Sequence, residues 1–195
     1  MIAFVRGNFV RKSPAQVVVD VNGVGYELQI SLNTYSAISN NNNGQLFTYL
    51  HITENAQTLY GFHEIAEKEL FLQLISVSGI GASTARMMLS GMRPDELVKA
   101  ILQGNVRQLE SVKGIGKKTA ERLIVELKDK LSKHSAETFT TSSVINNTKE
   151  QDAFNALVSL GIARPAAETV LKKVLQSVTD NTSVEEIIKL SLKNL

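Results

Sequence analysis

Two stretches of this chain are near copies of one another, thirty-five positions apart. Ser76-Val77-Ser78-Gly79-Ile80-Gly81-Ala82-Ser83-Thr84-Ala85 and Ser111-Val112-Lys113-Gly114-Ile115-Gly116-Lys117-Lys118-Thr119-Ala120 agree at seven of ten positions. Each reads as a helix end, a Gly-Ile-Gly turn and a helix start. The chemistry this pattern offers is anion binding through the main chain. Glycines let the backbone turn through conformations other residues avoid, and they leave no side chain in the way of an approaching molecule. The helix that follows begins with amides that have no internal partner, at the positive end of its dipole. The central isoleucines, Ile80 and Ile115, are placed to pin each turn to a core. The second copy adds Lys117 and Lys118 beside those amides, with Arg122 one turn past Lys118. A single Gly-x-Gly turn reads equally well as a plain joint in a helical bundle. Two copies with matched flanks and added lysines favour phosphate, most naturally that of a nucleic-acid backbone, where such contacts position a protein without reading bases.

Other chemistries fit less well. Gly116-Lys117 looks like the end of a nucleotide-binding P-loop, but that pattern needs Gly at 111 and Ser or Thr at 118, where this chain has Ser111 and Lys118. No ATP hydrolysis is expected, and no catalytic residue. There are 0 Cys, so disulfides, thiolate metal sites and cysteine nucleophiles are excluded. The 3 His (His51, His63, His134) are scattered and predict no metal site. No cofactor is expected. The net charge is only +2. Its distribution says more: residues 107–133 carry 8 basic residues against 4 acidic, and this excess overlaps the second turn.

The elements that must hold these turns follow from periodicity. With 195 residues, 43% hydrophobic and 21% charged, the chain should fold as one large domain or a few small ones. No apolar run reaches the roughly 18 residues of a membrane span, and Met1–Arg6 has the wrong charge order for a secretory signal. Residues 1–63 read as five strands. Val17–Val19 and Val24–Ile30 flank Asn22-Gly23, a strong hairpin signal. Leu46–Thr53 and Ala56–Phe62 flank a two-residue turn, Glu54-Asn55, where Asn can supply a positive φ. Five strands in so short a segment must close or be covered, and a Greek-key barrel of the OB type is the economical answer. Residues 64–133 switch to helical spacing, with Leu70, Phe71, Leu74 and Ile75 on one face and Ala120, Leu123, Ile124, Leu127 and Leu131 on another. Pro94-Asp95-Glu96 marks a helix start. Residues 134–149, rich in Ser, Thr and Asn, read as a flexible linker spanning ~20–25 Å. Residues 150–195 read as a small three-helix unit, with Phe154, Leu157 and Leu160 as the first stripe and Pro165 opening the second helix. The fold class is therefore multidomain α+β.

On these residues the chain resembles the RuvA family, the Holliday-junction-binding subunits of the bacterial RuvAB branch-migration complex. The resemblance rests on Gly23-Val24-Gly25-Tyr26-Glu27, Ala56-Gln57-Thr58-Leu59-Tyr60-Gly61-Phe62, Leu89-Ser90-Gly91-Met92 and the run from Gly114 to Glu126. It is close over about residues 1–133 and weaker beyond, where layout and length match more than residues. It implies an OB barrel, a double helix-hairpin-helix domain and a mobile three-helix C-terminal domain. It implies a homotetramer, or an octamer of two such rings, that holds a four-way junction open, matching four arms with fourfold symmetry. It further implies docking of the ATP-driven motor RuvB on the last domain, the RuvC resolvase as another partner, no membrane, and a place in the bacterial cytoplasm at the nucleoid in recombination, repair and the SOS response. The phosphate contacts it implies are Gly79, Gly81, Ser83, Gly114, Gly116, Lys117, Lys118, Thr119 and Arg122. In this family the turn between the last two barrel strands carries two acids that project at the junction centre, where they repel phosphates. The matching positions are Glu54 and Asn55, so this sequence keeps one acid and replaces the other with an amide. The motor contact is expected in an apolar patch, with Leu157, Leu160 and Ile162 as candidates that serve equally well as core.

Two other classes compete. A helix-hairpin-helix nuclease or glycosylase needs clustered carboxylates for metal ions or a deep base pocket in a longer helical body. No acidic cluster flanks the Gly-Ile-Gly turns. A protein-interaction scaffold would use the same turns structurally. Cleavage without a partner separates the first from a junction binder, and absence of DNA binding at low salt separates the second.

Overall fold

The computed structural model describes residues 1–139, 148–176, 178 and 182–194. The chain divides into two compact units, Met1–Ala136 and Glu137–Leu195.

The first unit opens with five strands: β1 (Phe4–Ser13), β2 (Gln16–Val21), β3 (Val24–Ile30), β4 (Asn43–Ile52) and β5 (Gln57–Phe62). They close into a barrel in the order β1-β2-β3-β5-β4. Four pairings are antiparallel, and a short parallel ladder between β3 and β5, Gln29 opposite Tyr60 and Ile30 opposite Gly61, completes the ring. Closure removes the free edges that a small sheet would otherwise expose. The period-two pattern fills the interior: Val17, Val19, Leu28, Ile30 and Leu46 are fully buried. The β2–β3 hairpin turns at Asn22 and Gly23, both at positive φ (51° and 89°), as the Asn-Gly pair predicts. The β4–β5 turn is different. Thr53 N–H donates to the Ala56 carbonyl at 2.9 Å, and Asn55 does not take up the positive φ expected of it.

Between β3 and β4 lies a helix that periodicity does not reveal, α1 (Leu32–Ile38). Ser31 caps its start, its hydroxyl accepting from Thr34 N–H at 3.0 Å. Lys12 closes its end by donating to the carbonyls of Ile38, Ser39 and Asn41, in keeping with the negative pole of the helix dipole.

Five further helices follow: α2 (Ile65–Ile75), α3 (Ala82–Gly91), α4 (Pro94–Leu102), α5 (Val106–Glu110) and α6 (Lys117–Phe139). Pro94 stands at the first position of α4, and the Glu96 carboxylate accepts from Arg93 N–H at 3.2 Å. The expected α6 face is the observed one, with Ala120, Leu123, Leu127 and Leu131 buried. The helical core is continuous with the barrel wall: Tyr60 and Phe62 of β5 belong to the same buried cluster as Leu70, Phe71 and Leu74 of α2.

The segment expected to be a linker, 134–149, is helical at both of its described ends. Residues 134–139 continue α6, and Thr148 and Lys149 already belong to the next helix. No Gly or Pro interrupts Lys133–Phe139, so nothing stops the helix at 133. The rest of that expectation, 140–147, lies outside the described residues. The second unit holds α7 (Thr148–Ser159), α8 (Arg164–Leu175) and α9 (Val184–Lys193) around Ala153, Leu157, Ala167, Leu171, Val174 and Ile187. No described helix is long and apolar enough to cross a membrane.

Candidate nucleic-acid interface

The two near-repeats fold into two copies of one turn. α2 leads into the first and α3 leaves it; α5 leads into the second and α6 leaves it. Gly79 and Gly114 hold φ of 93° and 94°, the left-handed region that L side chains avoid. The bonding is matched step for step. Ser76 Oγ donates to the Gln73 carbonyl and Ser111 Oγ to the Gln108 carbonyl, both at 2.7 Å. Ile80 N–H donates to Val77 at 3.0 Å and Ile115 N–H to Val112 at 3.1 Å. Ala85 N–H reaches the Gly81 carbonyl at 2.9 Å and Ala120 N–H the Gly116 carbonyl at 3.0 Å. Ile80 and Ile115 are buried, as are Val77 and Val112 beside them, so apolar side chains pin each turn from below.

The other face is open. A Cβ built on Gly79, Gly81, Gly114 or Gly116 would meet nothing within 4 Å. Gly81 caps α3 in an extended conformation (φ −84°, ψ 169°) with no side-chain cap bond. The first amides of α3 have no intrahelical acceptor. Ser83, Lys117, Lys118 and Arg122 are exposed and Thr119 is half-buried. Two of the cations have carboxylate neighbours one turn along α6: Lys117–Glu121 at 4.0 Å and Arg122–Glu126 at 2.9 Å. Each turn thus offers an accessible rim of main-chain donors, and the second adds positive charge on long side chains.

The other expected site residues divide. Glu54 and Asn55 stand exposed at the tip of the β4–β5 hairpin. Leu157 does not belong to a surface patch. It is 1% exposed, in the centre of the second unit's core, because its place on α7 faces α8 and α9. Leu160 lies past the end of α7 and is 62% exposed, so it is not part of the helical stripe, while Ile162 packs against the core from its edge.

Leu160 belongs to a feature that the sequence motifs do not bring out. Gly161-Ile162, with Ala167 six residues past the glycine, repeats the spacing of Gly79 to Ala85 and Gly114 to Ala120. Gly161 has φ 91°, and Ala167 N–H donates to the Ala163 carbonyl at 3.0 Å. This third turn departs from the other two. Ala163 stands where they have their second glycine, and Pro165 has no N–H to offer.

Nothing in the sequence announces how the first turn is tied to the barrel. The Glu67 side chain of α2 is 2% exposed. It accepts from the Ser31 hydroxyl and, at 2.7 Å, from the Thr34 hydroxyl. Burial pushes its carboxyl above the ordinary range; the two hydroxyls and His63 pull it back, and Glu64 adds to the rise. On the same side, Asn33 Nδ2 donates to the carbonyls of Leu89 and Met92, Leu32 N–H donates to Ser90 Oγ at 3.1 Å, and Arg86 Nη1 reaches Ala15 O and Gln29 Oε1. Among the described residues no three His, Cys, Asp or Glu side chains gather as a metal site would need.

Comparison with known proteins agrees with this layout. Family models match in chain order: RuvA N terminal domain over residues 1–61, SAM-like Helix-hairpin-helix tandem over 71–129, and RuvA, C-terminal domain over 148–195. The chain is similar to curated proteins named Holliday junction branch migration complex subunit RuvA. That of Flavobacterium psychrophilum is 47% identical over 196 residues, covering 100% of both chains. That of Bacteroides thetaiotaomicron is 46% identical over 202 residues, again 100% of both. That of Cytophaga hutchinsonii is 43% identical over 197 residues and 99% of each.

Proposed function

The chain belongs to the RuvA family, and from that premise we propose that it binds four-way DNA junctions by their shape and serves as the non-catalytic subunit of a branch-migration complex. The observation that carries the reading is the pair of equivalent turns, each with a left-handed glycine (φ 93° and 94°), a buried isoleucine and an open glycine rim. Their amides, with Ser83, Lys117, Lys118, Thr119 and Arg122, grip phosphates of the sugar–phosphate backbone. Such contacts carry no sequence information. Discrimination comes from how several copies are arranged, and four subunits about a fourfold axis match four duplex arms.

Glu54, at an exposed hairpin tip, stands at the junction centre and repels phosphates from the crossover, with Asn55 beside it as a neutral partner. The second unit docks the motor ATPase, RuvB. Support for that comes from the third turn, which shares the left-handed glycine of the other two, has one amide fewer at Pro165 and carries an apolar residue, Leu160, 62% exposed. Leu160 and Ile162 are the contacts there, and Leu157 holds the core behind them.

The test is a gel-shift comparison of a synthetic four-way junction with a linear duplex of equal length, without any partner. Preferential binding of the junction with no cleavage supports the reading. Cleavage products point to a repair enzyme, and no binding at low salt points to a protein scaffold.

A further inference from the structure

Both elements that flank the first phosphate-facing turn are bonded to one short helix of the barrel. α1 meets α2 through Glu67, whose carboxyl accepts from Ser31 and Thr34. It meets α3 through Asn33 and the Leu32 amide, which hold Leu89, Met92 and Ser90 near the end of that helix. Both hydroxyl hydrogens are committed to Glu67. Ser31 Oγ also accepts from Thr34 N–H, and Thr34 Oγ1 also accepts from His63 N–H at 3.0 Å, at the point where β5 hands over to α2. Each hydroxyl therefore takes a main-chain N–H and gives its own hydrogen to Glu67. One turn further along α2, Phe71 packs on the β4–β5 hairpin: its ring lies 5.7 Å from Tyr49 of β4, and 5.1 Å and 5.0 Å from Tyr60 and Phe62 of β5. An apolar contact alone allows sliding, because dispersion has no strong direction. Directional bonds in a buried site do not.

We propose that Glu67 is a positioning residue for junction recognition: by locking α2 to α1 and the end of β5, it fixes the first Gly-Ile-Gly turn against the hairpin that carries Glu54. This rests on the junction-binding reading above. It adds that discrimination between a junction and a simple duplex depends on a buried carboxyl that touches no DNA. A turn that grips one duplex needs only its own geometry. A junction presents the gripped arm and the crossover at a set separation, so the frame between turn and hairpin must be rigid.

The experiment uses the full chain with Glu67→Ala, Thr34→Val and Glu67→Gln. Each is assayed for binding to a synthetic four-way junction and to a linear duplex, alongside its thermal unfolding curve. Thr34→Val keeps side-chain shape and removes one of Glu67's two bonds together with the acceptor of His63 N–H, so the test survives if Glu67→Ala fails to fold. Glu67→Gln keeps the shape and one of the two bonds: its oxygen accepts from one hydroxyl, while its amide can only donate toward the other, whose own hydrogen loses its acceptor. Linear-duplex affinity is expected to stay near native in all three. Junction affinity should fall about tenfold in the Ala and Val variants, the scale of one buried hydrogen bond, and fall by less in the Gln variant, which keeps the shape and one accepting oxygen. A purely structural role lowers the melting temperature and leaves the junction-to-duplex ratio untouched, and that result overturns the proposal. A native chain with no junction preference instead removes the junction-binding reading and this proposal with it.

Discussion

Lys117 and Arg122 each lean on a carboxylate one turn along α6, at 4.0 Å and 2.9 Å. Exposed pairs of this kind are worth about 0.3–0.5 kcal/mol, so exchanging Glu121 or Glu126 for a phosphate costs little. The double change Lys117→Glu and Lys118→Glu should weaken binding to junction and duplex alike. It should also flatten the salt dependence by about one log unit per log unit of salt for each phosphate that these lysines neutralise; an unchanged slope removes them from the interface. Glu67 needs a different measurement. Its carboxyl titrates above the usual range, through burial first, with Ser31, Thr34 and His63 opposing and Glu64 reinforcing. A folded value above the unfolded one gives a contribution that is complete below the ordinary Glu value of about 4.3 and is lost as pH rises through the raised value. Urea unfolding of the native chain and Glu67→Gln should therefore show the balance of stability moving toward the Gln variant as pH rises across that window, and a constant difference contradicts the assignment. The place of Glu67 is not legible in the sequence. A Glu in the first turn of a helix reads as a solvated partner of the dipole, and only the fold brings Ser31 and Thr34, more than thirty residues away, over it.

The turns are legible where Glu67 is not, because their chemistry is local. A glycine that must adopt positive φ and a second that leaves an amide rim bare are written in adjacent residues. The two glycines of one turn should fail in different ways. Gly79→Ala or Gly114→Ala forces a side chain into the left-handed region and should cost about 1–2 kcal/mol of stability. Gly81→Ala meets open space at an extended backbone (φ −84°). It should cost about 0.5 kcal/mol at most, since alanine is a poorer N-cap than glycine, and still weaken DNA binding if its methyl meets an approaching phosphate. Native-like affinity in Gly81→Ala shows that the rim does not touch the ligand. The helix α1 escapes sequence reading because seven residues span two turns, too few for a 3.6-residue period to show, and its ends are held by Ser31 and by Lys12 from a distant strand. The third turn escapes for a related reason. Gly161-Ile162 keeps the backbone rule and has neither the flanking Ser-Val nor the second Gly that make the other two recognisable.

At the scale of the molecule, the two Gly-Ile-Gly turns and the Glu54 hairpin all lie in the unit Met1–Ala136, and the apolar third turn lies in Glu137–Leu195. A chain ended after residue 139, where α6 stops, should bind a four-way junction as the full chain does and fail to stimulate the motor ATPase. Loss of junction binding on that truncation contradicts the division of labour. Leu160→Asp in the full chain should reproduce the loss of stimulation with junction affinity intact. The central claim is that duplicated main-chain rims hold the DNA backbone. Its most direct test is a crystal structure of the chain with a four-way junction. Phosphate oxygens should lie within hydrogen-bond distance, about 2.7–3.2 Å, of amides in both the Gly79–Ser83 and Gly114–Thr119 segments. A complex in which the DNA lies elsewhere, and both segments face solvent or another protein surface, would contradict it.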